Sequence, residues 1–155
     1  MTNQERTSFP GIRAVYIVDD DATVRASLHG LLAARPGLAI YSFPSGDRFL
    51  AGREALGPGV LLLDHNMPGA SGMDVLDALD GDPRFATILV TGRGDIALAV
   101  RAMKAGALDF LEKPYDPAAM IEMVDAAAAR LEAGRAEAAQ GDVANARIDG
   151  LSPRE

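Results

Sequence analysis

The chain has 155 residues, the length of one domain with a single core, and its 22 acidic against 15 basic residues give a formal charge of −7. That balance repels a phosphate backbone and counts against this segment binding nucleic acid by itself, although a small anionic group can bind where a metal offsets the local charge. The absence of cysteine excludes disulfide scaffolds, thiolate metal sites and cysteine nucleophiles, and neither a secretory h-region nor the roughly 18 consecutive apolar residues of a membrane span occurs, so a cytoplasmic protein is expected.

Short apolar runs alternate with longer segments of helical period. After a tail over 1–11, the first strand is predicted at 13–18 (RAVYIV). Val24, Leu28, Leu31 and Leu32 then recur at helical spacing until Pro36-Gly37 stops them. A second strand at 38–43 (LAIYSF) leads to a helix over 45–55, and a third strand at 60–64 (VLLLD) leads to a helix over 72–80. The fourth strand, 86–91 (ATILVT), is followed by Ile96, Val100 and Met103 at helical spacing before Gly106; the fifth, 108–112 (LDFLE), is followed by a helix over 117–133. Five strands alternating with five helices predict parallel βαβ units with right-handed crossovers, an α/β doubly wound sheet of flavodoxin type. The domain is placed at 12–133. Beyond it, 134–150 is alanine, glycine and charge, a helix extension expected to fray into a linker where Gly134 and Gly141 interrupt it. The closing LSPRE has the form of a helix start: Ser152 as N-cap, Pro153 at the first helical position, Glu155 closing a capping box and Leu151 as the outer half of a hydrophobic staple. A further domain is therefore expected to begin at 151–155.

In a parallel sheet the carboxyl ends of the strands meet at one edge, over the crevice where open α/β folds bind ligands. Asp19-Asp20-Asp21 end the first strand, Asp64 the third and Thr91 the fourth, and Lys113-Pro114 follow the fifth. Clustered carboxylates raise one another's pKa, so an ionised cluster needs a cation, and oxygen ligands without cysteine or a histidine pair suit Mg²⁺ or Mn²⁺. A carboxylate beside such an ion, with a lysine and a hydroxyl aimed at the same point, suits phosphoryl transfer: metal and lysine offset charge on the equatorial oxygens while the acid attacks in line. Asp21 is expected to cap the following helix. His65 reads as a solvated loop residue, and His29 has no motif around it.

The set YIVDDD, LLLDHNMPG, LVTG and EKP resembles the receiver domain of two-component response regulators, in order and each at a predicted strand end. More narrowly, TGRGDIALAVRAMKAGALDFLEKP and LSPRE resemble the FixJ branch, whose receivers precede a LuxR-type helix-turn-helix domain. The resemblance implies a CheY-like fold in which Asp64 is the phosphoacceptor and Mg²⁺ is held by Asp20, Asp64 and the backbone carbonyl of Asn66. Asp19 would assist indirectly. It further implies that Thr91 and Lys113 contact the phosphoryl oxygens, that Phe110 is the aromatic switch, and that Lys113-Pro114 is a cis peptide. Val100 and Lys104 would lie on a dimer surface. The implied partners are a sensor histidine kinase, a second copy on phosphorylation, and DNA only through the C-terminal domain. The implied protein is a phosphoacceptor switch with self-catalysed phosphorylation and dephosphorylation, not a turnover enzyme. Two positions depart from many FixJ-like sequences: Asn66 stands where arginine is frequent and Arg93 where histidine is common. By the same resemblance both would border the route of attacking water and so bear on the lifetime of the phosphorylated form.

Three other readings compete. GRGDIA at 92–97, with Glu112 about 20 residues on, fits a dinucleotide fingerprint, but only one strand follows it and Asp95 would oppose the pyrophosphate. A haloacid-dehalogenase-like phosphatase needs a second acid two residues after its nucleophile to protonate the leaving group; that place is Asn66. A phosphorylation-silent receiver acting only as an interaction module would be expected to lack an acid, the Thr or the Lys, and none is missing.

Overall fold

A computed structural model of the chain describes residues 14–92 and 95–151; the tail over 1–11, Arg93, and 152–155 of the closing motif lie outside the described residues. The strands are β1 (Ala14–Val18), β2 (Ala39–Phe43), β3 (Gly59–Asp64), β4 (Phe85–Thr91) and β5 (Asp109–Glu112). They alternate with helices α1 (Ala22–Ala33), α2 (Gly46–Gly52), α3 (Gly72–Leu79), α4 (Ile96–Lys104) and α5 (Pro117–Leu151). All strand pairs are parallel, in the order β2-β1-β3-β4-β5. This is the five-stranded doubly wound sheet expected from the sequence.

The order dictates the layers. The chain steps one way from β1 to β2 and the other way for every later step, so right-handed crossovers place α1 on one face and α2, α3 and α4 on the other. Two cores follow. On the first face Leu28 and Leu32 of α1 and Met120, Val124 and Ala127 of α5 pack on Val15, Ile17, Val60, Leu62, Ile88 and Val90. On the second, Phe49 of α2, Val75 and Leu76 of α3 and Leu98 of α4 pack on Tyr16, Val18, Leu61, Leu63 and Leu89. Every residue of β3 and β4 is buried, because both strands are covered on both faces.

Local differences from the sequence reading have physical causes. The segment 45–55 is a helix only to Gly52, after which Arg53–Ala55 tighten into a 3₁₀ turn. In α4, which the spacing of Ile96, Val100 and Met103 predicted as a helix, those three residues are 76%, 48% and 47% exposed, and Leu98 and Ala102 are the ones that enter the core. Finally, α5 continues through Gly134 and Gly141, where fraying was expected; alanine at many of the intervening positions offsets the cost of about 1 kcal/mol per glycine. No helix among the described residues is long and apolar enough to cross a membrane.

Candidate functional site

The strand order reverses between β1 and β3, and the carboxyl ends of these two strands open the crevice where doubly wound sheets bind ligands. Alternation decides which side chains meet there. Val15 and Ile17 of β1, Val60 and Leu62 of β3 and Leu111 of β5 face the α1/α5 core, so Asp19, Asp64 and Lys113, each two residues further along, emerge on that same side. Phe85 and Leu89 of β4 face the other core, so Thr91 emerges there, as does Phe110, which is partly buried against it.

The carboxylates of Asp19, Asp20 and Asp64 offer oxygens that all lie within 4.8 Å of one another. Lys113 Nζ donates to Asp64 Oδ1 at 3.0 Å and stands 3.8 Å from Asp19 Oδ2. The Asp64 and Asp19 side chains are only 5% and 6% exposed, whereas Asp20 is at the solvent rim. Beneath them is a tight space lined by Ile17, Leu62, Val90 and Tyr115. Burial over this apolar floor pushes both carboxyls above the ordinary range; for Asp64 the hydrogen bond from Lys113 works against that rise and the charge of Asp19 adds to it. Burial works to lower the Lys113 ammonium, but its bond to Asp64 and the charges of Asp64 and Asp19 outweigh it and leave it raised. One ammonium facing three acids leaves an excess of negative charge. The donor set is hard oxygen throughout, and a divalent cation of the Mg²⁺ or Mn²⁺ type fits it.

The remaining predicted residues are placed as follows. Thr91 is buried at the end of β4, one residue past the Asp64↔Val90 pair. Asn66 is exposed in the loop after β3, which is closed by hydrogen bonds from His65 N–H to the Val90 carbonyl and from Gly72 N–H to the His65 carbonyl. The Lys113-Pro114 peptide is cis. Asp21 caps α1, accepting from the N–H groups of Thr23 and Val24. Val100 and Lys104 are exposed on α4, outside the acidic cluster. His65, expected to be solvated, is half-buried, and its Nδ1 is buried without a hydrogen-bond partner.

Two residues at the site had escaped the sequence reading. Tyr115 forms part of the floor, and its phenol is pushed up first by burial, with the Asp19 and Asp64 charges adding and that of Lys113 opposing. Its place two residues after Lys113, on the same side of the chain, was the available signal. Arg25 Nη1 donates to the carbonyl of Asp19 at 2.7 Å. In sequence Arg25 is an ordinary polar position of an amphipathic helix, and only the fold brings it back onto the strand end.

Comparison with known proteins adds the following. A family model described as the response regulator receiver domain matches residues 15–125. The transcriptional regulatory protein FixJ of Azorhizobium caulinodans is 46% identical over 143 residues, covering 91% of this chain and 67% of the relative. FixJ of Rhizobium meliloti is 41% identical over 143 residues, with 91% of this chain and 69% of the relative covered. Among solved structures, FixJ-N superposes with a TM-score of 0.69 at 41% identity, covering 76% of this chain and 94% of that one. The response regulator StyR gives a TM-score of 0.76 at 33% identity, covering 90% and 70%.

Proposed function

The chain belongs to the receiver domains of two-component response regulators, with FixJ proteins among its relatives, and we propose that it is a phosphorylation switch whose acceptor is Asp64. The observation that carries this reading is a buried Asp64 paired at 3.0 Å with Lys113, within carboxylate reach of Asp19 and Asp20, at the reversal of strand order.

A sensor histidine kinase would present its phosphohistidine to the open rim. An Asp64 carboxylate oxygen forms the bond to phosphorus as the P–N bond breaks, the electron pair leaves with the imidazole nitrogen, and Asp64 becomes a mixed anhydride. Asp20, Asp64 and the Asn66 carbonyl would hold Mg²⁺, with Asp19 assisting indirectly; the ion, when bound, supplies positive charge against the phosphoryl oxygens. Lys113 supplies a second positive charge from just past the fifth strand, and Thr91 a hydroxyl from the other face of the sheet. Because Thr91 and Phe110 share that face, a Thr91 drawn toward the phosphoryl group frees space into which Phe110 can turn, which biases the α4/β5 surface toward a second arrangement. There Ile96, Val100 and Met103 already stand exposed, and Val100 and Lys104 would join a dimer surface. Hydrolysis of the anhydride resets the switch, and the exposed Asn66 lies in the loop directly after the acceptor. The output would be transcriptional, through a DNA-binding domain of the LuxR type, in the cytoplasm.

Mass spectrometry after incubation with acetyl phosphate and Mg²⁺ tests the reading. We expect one added phosphoryl group, lost slowly to water, and none on Asp64→Asn. A metal-dependent adduct retained on that variant would remove Asp64 as acceptor, and sustained turnover of phosphate esters would make the protein a hydrolase.

A further inference from the structure

We propose that Arg25 is a positioning residue for the divalent cation: by holding the carbonyl of Asp19, its guanidinium sets the direction in which Asp20 presents its carboxylate. The inference rests on the reading of Asp19, Asp20 and Asp64 as a cation site.

The three acids are held in different ways. Asp64 is fixed by Lys113 at 3.0 Å. Asp19 accepts from the Asp21 N–H at 2.9 Å through Oδ1 and faces Lys113 through Oδ2. Asp20 is exposed, and its carboxylate has no hydrogen-bond partner among the described residues. Its aim therefore depends on its backbone. A peptide unit is planar, so the carbonyl oxygen of Asp19 and the nitrogen of Asp20 move together; fixing that oxygen fixes the orientation from which Asp20 departs.

Arg25 does the fixing. Its Nη1 reaches the Asp19 oxygen at 2.7 Å, in the range of a charge-assisted hydrogen bond. The β1–β3 register ends at Val18↔Leu63, so this carbonyl lies past the last paired residue, while the Asp19 N–H donates to the Phe43 carbonyl. Arg25 is itself anchored, because its own N–H donates to the Asp21 carbonyl at 3.0 Å in the first turn of the helix that Asp21 caps. The segment 19–21 is thus enclosed between two bonds, one inside the loop and one returning from α1. Groups that orient metal ligands without touching the metal are each worth about 10–100-fold in metal affinity.

The test is direct binding of Mn²⁺, followed by the electron paramagnetic resonance of the free ion, to the wild-type chain, Arg25→Met and Arg25→Lys, with folding checked by circular dichroism. Methionine keeps the apolar stem and removes the donors; lysine restores one donor and the charge. We expect the Mn²⁺ dissociation constant to rise about tenfold in Arg25→Met and to recover in part in Arg25→Lys. The Mg²⁺ concentration for half-maximal phosphorylation by acetyl phosphate should rise in parallel, by more than the maximal rate falls. Should Arg25→Met not fold, Arg25→Lys decides alone, with a several-fold weaker Mn²⁺ affinity expected. Unchanged Mn²⁺ affinity in a folded variant overturns the proposal. A wild-type chain that takes up a phosphoryl group yet binds no Mn²⁺ overturns the cation site on which it rests, whereas Mn²⁺ binding without phosphoryl uptake leaves Arg25 in place and removes the acceptor reading instead.

Discussion

Burial is the first cause that raises the carboxyls of Asp64 and Asp19, so the folded chain binds protons at these positions more readily than the unfolded chain does. Their contribution to stability is full below the ordinary carboxylate value of 3.8 and is lost as pH rises through the raised folded values. At neutral pH the metal-free domain therefore carries strain in the residue proposed above as phosphoacceptor. Asp64→Asn removes that charge but also the partner of Lys113, and exposure decides the balance: the Lys113 side chain is 36% exposed and stays hydrated, whereas that of Asp64 is 5% exposed. We expect Asp64→Asn to stabilise the metal-free domain by about 1 kcal/mol at neutral pH. The gain should shrink toward zero as acid protonates the wild-type carboxyl. Urea melts of both chains across that pH range check this, and parallel stability curves with no pH-dependent gap would show that burial of the acid costs the fold nothing. At the alkaline end Lys113 behaves oppositely in chemistry but alike in sign: its raised folded value means its contribution is present below 10.5 and is lost as pH climbs through the folded value.

At the scale of elements, the strands were legible because each is a short apolar run ended by a turn or an acid, and burial on both faces made β3 and β4 readable without alternation. The site was legible for the same reason, since parallel strands bring Asp19, Asp64, Thr91 and the residue after β5 to one edge. Less of α4 could be read. Periodicity identifies a helix but does not say which of two apolar stripes meets the sheet, and Leu98 with Ala102 proved to be the buried one. Close backbone approaches were also invisible, and Gly72 is the instance that matters. A Cβ there would lie 2.7 Å from His65 Cα and 2.8 Å from the Asp64 carbonyl oxygen, so α3 can start beside Asp64 only without a side chain. Gly30, inside α1, would meet nothing within 4 Å. We expect Gly30→Ala to stabilise by about 0.5–1 kcal/mol through helix propensity and Gly72→Ala to destabilise by about 1–3 kcal/mol through overpacking against backbone. Denaturant midpoints measure both. Equal, small shifts of the same sign would show that the loop after β3 has room to give.

Over the whole molecule, two features oppose each other. The formal charge of −7 makes two copies repel, while the α4 stripe of Ile96, Val100 and Met103 leaves apolar surface in water. In the switch proposed above, phosphorylation tips this balance toward pairing. Val100 measures the apolar side of it. It is 48% exposed, so about half of its surface remains to be buried by a partner. Truncation to alanine removes two carbon groups worth about 0.8 kcal/mol each when fully buried, hence about 0.8 kcal/mol at half burial. A two-fold interface counts that loss in both copies, about 1.6 kcal/mol in total, which corresponds to slightly more than tenfold in the dimer dissociation constant. Sedimentation of the chain with acetyl phosphate and Mg²⁺ should therefore show association that Val100→Ala weakens about tenfold. Because the opposing term is long-range repulsion between like-charged copies, moderate salt should strengthen the dimer in both chains by the same factor. Association that is indifferent to Val100→Ala would place the pairing surface elsewhere, and association that salt weakens would mean that ion pairs, not the apolar stripe, hold the copies together.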